Sequence, residues 1–184
     1  MRRFALPGVI SLVVAGLLAL LAFGVAHNGP SNALASQVSR GKQPAAPNAD
    51  MRLALLGSSR KTTLSALHGK IVMVNVFAGW CDTCQAEAGL LRHAQQVLSE
   101  HGGEVVGVTY DDSSSDAQHY MRTYGLRYPV LLDPAGSFVA PYGVTGVPET
   151  FIVDRSGRVI AADPEEMTKS WMDSTLSRVL GTQA

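Results

Sequence analysis

The chain has 184 residues, enough for one domain of ordinary size plus an appendage. Apolar residues make up 46% and charged residues 16%, which is typical of a globular protein. The formal net charge is zero and no lysine or arginine cluster occurs, so the composition predicts no nucleic-acid-binding surface.

The first 27 residues predict a membrane anchor. After Arg2 and Arg3, no charged residue occurs from Phe4 to Ala26, and a bilayer core of about 30 Å needs roughly 20 apolar helical residues. The two arginines predict a cytoplasmic N-terminus, with the rest of the chain exported. The alternative is a cleaved signal peptide, whose apolar core is usually shorter, about 7–15 residues. In either case the body of the protein leaves the cytosol.

Residues 28–50 predict a flexible linker, because Gly, Pro, Ser, Asn and Ala dominate there without apolar periodicity. A globular domain is expected over residues 51–184. Its first long element is IVMVNVF at residues 71–77, a continuous β-branched run that predicts a strand buried on both faces. Apolar residues at helical spacing follow Cys84 until Gly102 interrupts them.

The second half of the domain repeats this alternation. EVVGVTY at residues 104–110 predicts a buried strand, and the serines from Ser113 can cap a helix that ends near Tyr124. VLLD at 130–133 predicts an irregular extended piece. A hairpin of FIVD and RVIA is expected next, and then a last helix over residues 165–180 with Asp163-Pro164 as its start signal. This order indicates an α/β sandwich with a mixed sheet.

Cys81 and Cys84 are the only cysteines, and they lie at the first strand-to-helix junction. Haem attachment requires a histidine after the second cysteine, where Gln85 stands. Structural zinc requires four ligands, and the five histidines are scattered. A structural disulfide would close almost no loop, whereas a copper(I) site remains an alternative. The junction favours thiol–disulfide exchange, because a helix N-terminus stabilises a thiolate at Cys81.

The stretches VNVFAGWCDTCQAE and YGVTGVPETFIVDRSG resemble the thioredoxin superfamily, especially its membrane-anchored, extracytoplasmic thiol:disulfide reductases of the TlpA, ResA and CcmG (DsbE) type. The resemblance covers residues 51 to about 162. It implies a thioredoxin-like sandwich, with a central mixed sheet flanked by helices, behind one N-terminal transmembrane helix. It also implies a redox-active Cys81–Cys84 disulfide and no further cofactor or metal.

The motif GVPETFIVD is especially similar to the CcmG group, which keeps apocytochrome c cysteines reduced for haem attachment. The resemblance therefore implies a single-pass protein of the inner membrane with its catalytic domain in the periplasm. It further implies a transmembrane thiol reductase as electron donor, and apocytochrome c or a cytochrome c maturation protein as client.

Individual positions carry expected roles from the same resemblance. Cys81 becomes the attacking thiol and Cys84 the resolving one. Pro148 matches the family's cis-proline, which presents the backbone of Val147 to an extended client strand. Trp80 matches an exposed indole beside the disulfide, although a core aromatic is an equally good interpretation of that residue.

Glu87 and Glu149 match two acidic positions near the active site of the CcmG group, although the sequence alone predicts solvated carboxylates there. Asn75 occupies the place of thioredoxin's buried aspartate, so Glu87 becomes the candidate for proton transfer with Cys84. The chain departs from the pattern at Asp82, where the CcmG group often has proline.

Negative charge from Asp82, Glu87 and Glu149 should disfavour the Cys81 thiolate. A less acidic Cys81 predicts a low reduction potential, and hence a reductant of protein disulfides. The alternatives are a reductase for another client, such as a copper-centre assembly protein, a non-enzymatic copper(I) carrier that uses both cysteines, and a purely structural module.

Overall fold

The computed structural model describes residues 14–18 and 33–181. Contacts divide the chain into two compact units, residues 1–31 and 32–184. Of the first unit only residues 14–18 are described, and they are helical with exposed side chains. The predicted anchor at residues 1–27 thus lies largely outside the described residues. Across the described ranges, no helix combines the length and the apolar character that crossing a membrane requires.

The described part of the second unit contains a seven-stranded sheet and four α-helices. The strands are β1 Leu53–Leu55, β2 Lys61–Thr62, β3 Val72–Phe77, β4 Glu104–Thr109, β5 Val130–Leu132, β6 Glu149–Val153 and β7 Val159–Asp163. The helices are α1 Ala33–Ser39, α2 Asp82–Glu100, α3 Ser114–Thr123 and α4 Lys169–Gly181, and two short 3₁₀ helices cover Leu64–Leu67 and Ala140–Tyr142.

The sheet is mixed, with the strand order β2-β1-β5-β4-β3-β6-β7. β3 pairs in parallel with β4, and β4 in parallel with β5, while the other neighbours are antiparallel. The piece at 130–133, expected to be irregular, supplies β5. The α/β fold with a mixed sheet flanked by helices is therefore confirmed.

Both faces of the central strand β3 are buried, as its continuous apolar run predicts. Met73 and Phe77 point to a core that they share with residues of α2, α3 and α4. Val74 and Val76 point to the opposite core, which Leu34 of α1 and the two 3₁₀ segments complete. Because alternate residues of a strand face opposite sides, β3 is fixed from both sides. Its carboxyl end, where the two cysteines follow, is anchored accordingly.

The last helix begins four residues after the predicted position 165. The start signal Asp163-Pro164 is followed by a short strap, residues 165–168, that packs on the domain. The side chain of Met167 in this strap is 2% exposed, and its backbone N–H donates to the carboxylate of Glu87. Thr168 then caps α4, since its hydroxyl accepts from the N–H of Trp171 at 3.2 Å.

Residues 33–50, expected to belong to a flexible linker, are folded onto the domain; we call them the N-terminal arm. Its helix α1 buries Leu34, which is 4% exposed. The carbonyl of Pro44 accepts from the N–H of Val159 at 2.8 Å, so the arm covers the outer side of β7. The compact unit accordingly begins at residue 32 rather than at 51.

Candidate active site

The two cysteines form a disulfide where β3 leads into α2. Cys81 is the N-cap residue of α2 and Cys84 lies in the first turn. The backbone N–H of Cys84 donates to the Sγ of Cys81 at 3.0 Å. Cys81 is 4% exposed and Cys84 is 1% exposed, so Cys84 is the deeper of the two. In the reduced form, the same N–H and the helix N-terminus would stabilise a thiolate on Cys81.

The loop before β6 lies against the disulfide. The Val147–Pro148 peptide bond in this loop is cis. The carbonyl oxygen of Val147 lies 3.7 Å from the Sγ of Cys81. From the other side, the hydroxyl oxygen of Thr83 lies 3.3 Å from the same sulfur. The Cys81 sulfur therefore lies between the start of α2 and a backbone segment that a client strand could extend.

Trp80 projects from the turn before the disulfide and is 56% exposed, so the interpretation as a core aromatic is wrong. Its indole Nε1 donates to the backbone oxygen of Asp111 at 2.9 Å. The neighbouring Gly79 donates its N–H to the Oδ2 of Asp112 at 2.8 Å. Both acceptors follow β4, whose carboxyl end lies beside that of β3. The loop after β4 therefore holds the turn that carries Cys81.

Glu87 lies inside the domain, 1% exposed, one turn after Cys84 on α2. One carboxylate oxygen accepts from the N–H of Met167, and the other accepts from the amide of Asn75 at 3.2 Å. The same amide nitrogen donates to the hydroxyl of Thr150 at 3.1 Å. Burial raises the pKa of the Glu87 carboxyl from 4.5 to about 7, against the opposing effect of these hydrogen bonds.

Glu149, the first residue of β6, is also buried, at 3% exposure. Its Oε1 accepts from the N–H of Thr145 at 3.2 Å, whereas its Oε2 has no hydrogen-bond partner among the described residues. Burial raises the pKa of this carboxyl to about 7 as well. The sequence alone predicts solvated carboxylates at positions 87 and 149, and that expectation is wrong. Near neutral pH both groups carry only part of a negative charge, whereas Asp82, which follows Cys81 directly, is an exposed carboxylate.

Three residues near the disulfide were not singled out from the sequence. Thr83 stands between the cysteines, and Asp112 follows β4, whose parallel pairing with β3 brings both carboxyl ends to one edge of the sheet. These positions could have been found from the strand pattern. The third, Tyr120, is buried and donates its hydroxyl to the backbone oxygen of Cys84 at 2.7 Å. Its helix carries no signal that would predict this contact.

Within residues 14–18 and 33–181, no group of three or more His, Cys, Asp or Glu side chains is arranged to hold a metal ion. The thiol pair itself is present as a disulfide. The geometry thus provides an enclosed two-electron couple, a neighbouring buried carboxyl and an adjoining backbone segment.

Comparison with known proteins identifies the family to which this chain belongs. The Redoxin family profile matches residues 42–180. This chain belongs to the Redoxin family. The thiol:disulfide interchange protein HelX of Rhodobacter capsulatus is 32% identical over 176 residues, which cover 94% of both chains. The thiol-disulfide oxidoreductase ResA of Bacillus thuringiensis subsp. konkukian is 28% identical over 120 residues, or 65% of this chain and 69% of that protein.

A solved structure agrees with these relatives. A Chlorobium tepidum protein described as a thiol:disulfide interchange protein DsbE superposes with a TM-score of 0.67 at 26% identity, covering 78% of this chain and 98% of that one. The resemblance drawn from the sequence is confirmed. This Redoxin-family chain is a thiol:disulfide oxidoreductase with a thioredoxin-like fold, a class of enzyme that works with a redox-active cysteine pair.

Proposed function

We propose that this chain reduces disulfide bonds in client polypeptides outside the cytoplasm, as a step in cytochrome c maturation. The observation that carries the proposal is the disulfide at the start of α2, with the Sγ of Cys81 3.7 Å from the carbonyl oxygen of Val147. This geometry presents a reactive sulfur beside the backbone segment that contains the cis peptide bond. The identity shared with HelX over almost the whole chain supports the same class of reaction.

The reaction transfers two electrons to the client. The Cys81 thiolate attacks one sulfur of the client disulfide, and the other client sulfur leaves as a thiolate that takes up a proton. Cys84 then loses its proton and attacks the Sγ of Cys81, which releases the second client sulfur and forms the Cys81–Cys84 disulfide. The client gains two electrons and two protons, and the enzyme must be reduced again by an external dithiol.

Glu87 is the proposed proton acceptor for Cys84. It follows Cys84 by three residues and lies on the same buried face of α2. A carboxyl with a pKa of about 7 can both take and return a proton near neutral pH. Its hydrogen bonds from Asn75 and Met167 hold it in place through both states.

The client is proposed to bind across Trp80, Val147, Pro148 and Glu149. The exposed indole of Trp80 offers apolar contact area beside the disulfide. The backbone of Val147 can pair with an extended client segment, which gives binding energy without demanding one client sequence. Glu149 lies just beyond this segment at the start of β6.

The cellular setting rests on the N-terminal sequence and on the relatives. We place the chain in the inner membrane through residues 1–27, with its domain in the periplasm. An oxidising compartment would leave the couple as a disulfide, so a transmembrane thiol reductase is the proposed donor. The proposed client is apocytochrome c or a cytochrome c maturation protein.

Two measurements test this proposal. Equilibration with thiol buffers should give a reduction potential near that of thioredoxin, about −270 mV, and a value near the strong oxidant DsbA, about −120 mV, would make the chain a disulfide-forming enzyme instead. In cells, a Cys84→Ser variant should accumulate a mixed disulfide with its client, because Cys84 can no longer release it. The Cys81→Ser variant is the matched control and should trap nothing. Identification of a copper-centre assembly protein in the trapped complex would replace cytochrome c maturation as the process.

A further inference from the structure

A pocket of about 280 Å³ opens beside the disulfide. Thr83, residues 145–149 and residues 164–166 line it, and we call it the acidic pocket. It begins at Thr83, whose hydroxyl lies 3.3 Å from the Sγ of Cys81. A client that is disulfide-bonded to Cys81 and runs along Val147 would therefore place a neighbouring side chain into this pocket.

The charges in the acidic pocket are of one sign. Its lining contains Glu149, Glu165 and Glu166 and no basic side chain. The two salt bridges found in the described residues lie elsewhere, and Lys169, which follows the strap, is paired with Asp173 on its own helix. Glu165 and Glu166 are exposed and have no cation as a partner among the described residues.

A second observation also points to a ligand. Glu149 lines the pocket and is 3% exposed; its Oε2 has no hydrogen-bond partner within 3.5 Å among the described residues, although the backbone N–H of Gly146 lies close enough to lower the pKa of this carboxyl. A buried carboxylate oxygen without a donor is costly, and a donor supplied by a ligand removes the cost. Burial is the main cause of the raised pKa of Glu87, but the charge of Glu166 also raises it. The field of Glu166 thus reaches the interior of the active site.

The size of the pocket limits the ligand. Small-molecule sites are usually about 300–1,000 Å³, so the acidic pocket suits a single side chain better than a free ligand. Lysine and arginine carry several donors on a long stem, and both fit carboxylate walls. We propose that the acidic pocket selects clients with a lysine or arginine next to the cysteine that Cys81 attacks. This inference rests on the proposed function, because it concerns which disulfides that same site reduces.

The test uses the full-length chain, purified in a non-ionic detergent and fully reduced beforehand. Three synthetic peptides share one internal disulfide and differ only in the two residues that flank it, which are both Lys, both Gln or both Glu. Single-turnover rates then report client recognition without an electron donor. We expect the Lys peptide to be reduced about three- to tenfold faster than the Gln peptide, as two or three partly exposed charge pairs allow, and the Glu peptide more slowly.

The Glu165→Gln, Glu166→Gln double variant should reduce the Lys-to-Gln rate ratio to about one. The matched control, Glu100→Gln, removes an exposed carboxylate at the far end of α2 and should keep the wild-type ratio. Salt at 1 M, where the screening length is about 3 Å, should lower the wild-type ratio towards one.

The outcomes separate the two proposals. A wild-type chain that reduces all three peptides at one rate refutes the acidic pocket and leaves the reductase function standing. A double variant that keeps the Lys preference refutes it too. If the reduced chain leaves every peptide oxidised, the reductase function fails and the pocket's role fails with it.

Discussion

Replacing Glu87 with Gln should make the folded protein more stable at pH 8. The pKa of this carboxyl is about 7 in the folded chain against 4.5 as its ordinary value, because burial penalises the charged form. The folded state thus binds more protons than the unfolded state between these two values, and stability falls as the pH rises through this window. Integrated from pH 5 to pH 8, the loss attributable to Glu87 is about 2.5 kcal/mol.

Glutamine has nearly the same shape as glutamate and keeps one of the two hydrogen bonds that Glu87 accepts. Its side-chain oxygen can still accept from the N–H of Met167, as the Glu87 carboxylate does. Its amide nitrogen, however, faces the Nδ2 of Asn75, which is also a donor and already donates to the hydroxyl of Thr150, so one hydrogen bond worth about 1 kcal/mol is lost at every pH. We therefore expect a variant that is about 1 kcal/mol less stable than the wild type at pH 5 and about 1.5 kcal/mol more stable at pH 8, a relative change of about 2.5 kcal/mol.

Urea unfolding, followed by circular dichroism at several pH values between 5 and 8, measures this difference. The disulfide must stay oxidised, so that cysteine ionisation adds no slope of its own. The control Glu100→Gln, at an exposed position, should leave the pH dependence unchanged. A Glu87→Gln variant with the wild-type pH dependence, or one equally destabilised at pH 5 and pH 8, would refute the reasoning, because Glu87 would then be ionised in the folded protein without cost.

Three further predictions follow from the site and the fold. Asp82→Asn should lower the pKa of the reduced Cys81 thiol in a thiolate absorbance titration, because it removes a negative charge beside the sulfur; an unchanged or higher pKa would contradict it. Gly79→Ala should fold poorly, since its Cβ would lie 2.6 Å from the backbone oxygen of Asp116, and a wild-type urea midpoint would show that the loop yields easily. A chain without the N-terminal arm should lose at least about 2 kcal/mol of unfolding free energy, mainly because the buried side chain of Leu34 is lost and the core that it covers becomes exposed. Equal stability would mean that the arm does not pack in solution.

The sequence predicts correctly those helices and strands that are determined by a few neighbouring residues. The apolar run of β3 and the serine cap of α3 need only a few neighbouring residues, and both appear where the sequence indicates them. The start of α4 depends instead on Met167 and Glu87, which are 80 residues apart, so no local signal could place it. The N-terminal arm is composed of small and polar residues and is ordered by its pairing with β7, which composition cannot reveal.

The residues of the active site likewise differ in whether the local sequence could predict them. Cys81 and Cys84 were predictable, because the motif and its strand-to-helix position define the chemistry. The burial of Glu87 could have been predicted from helical spacing, because Glu87 lies on the same face of α2 as Cys84 and Leu91. Its charge instead favoured the expectation of an exposed side chain. The burial of Glu149 had none, since it depends on β6 lying inside the sheet beside β3.

The buried carboxyl joins the chemistry of the site to its packing. Deprotonation of Glu87 places a charge in the core, and the hydrogen bonds from Asn75 and Met167 partly compensate for it. With a pKa of about 7, the two forms of the carboxyl are nearly equal in free energy at neutral pH. In the proposed role of Glu87, a proton taken from Cys84 would therefore cost little to hold and little to return. A client cation in the acidic pocket would offset the charge of Glu166 and lower the pKa of Glu87, so that a larger fraction of Glu87 would be ionised and able to accept a proton when a client is bound.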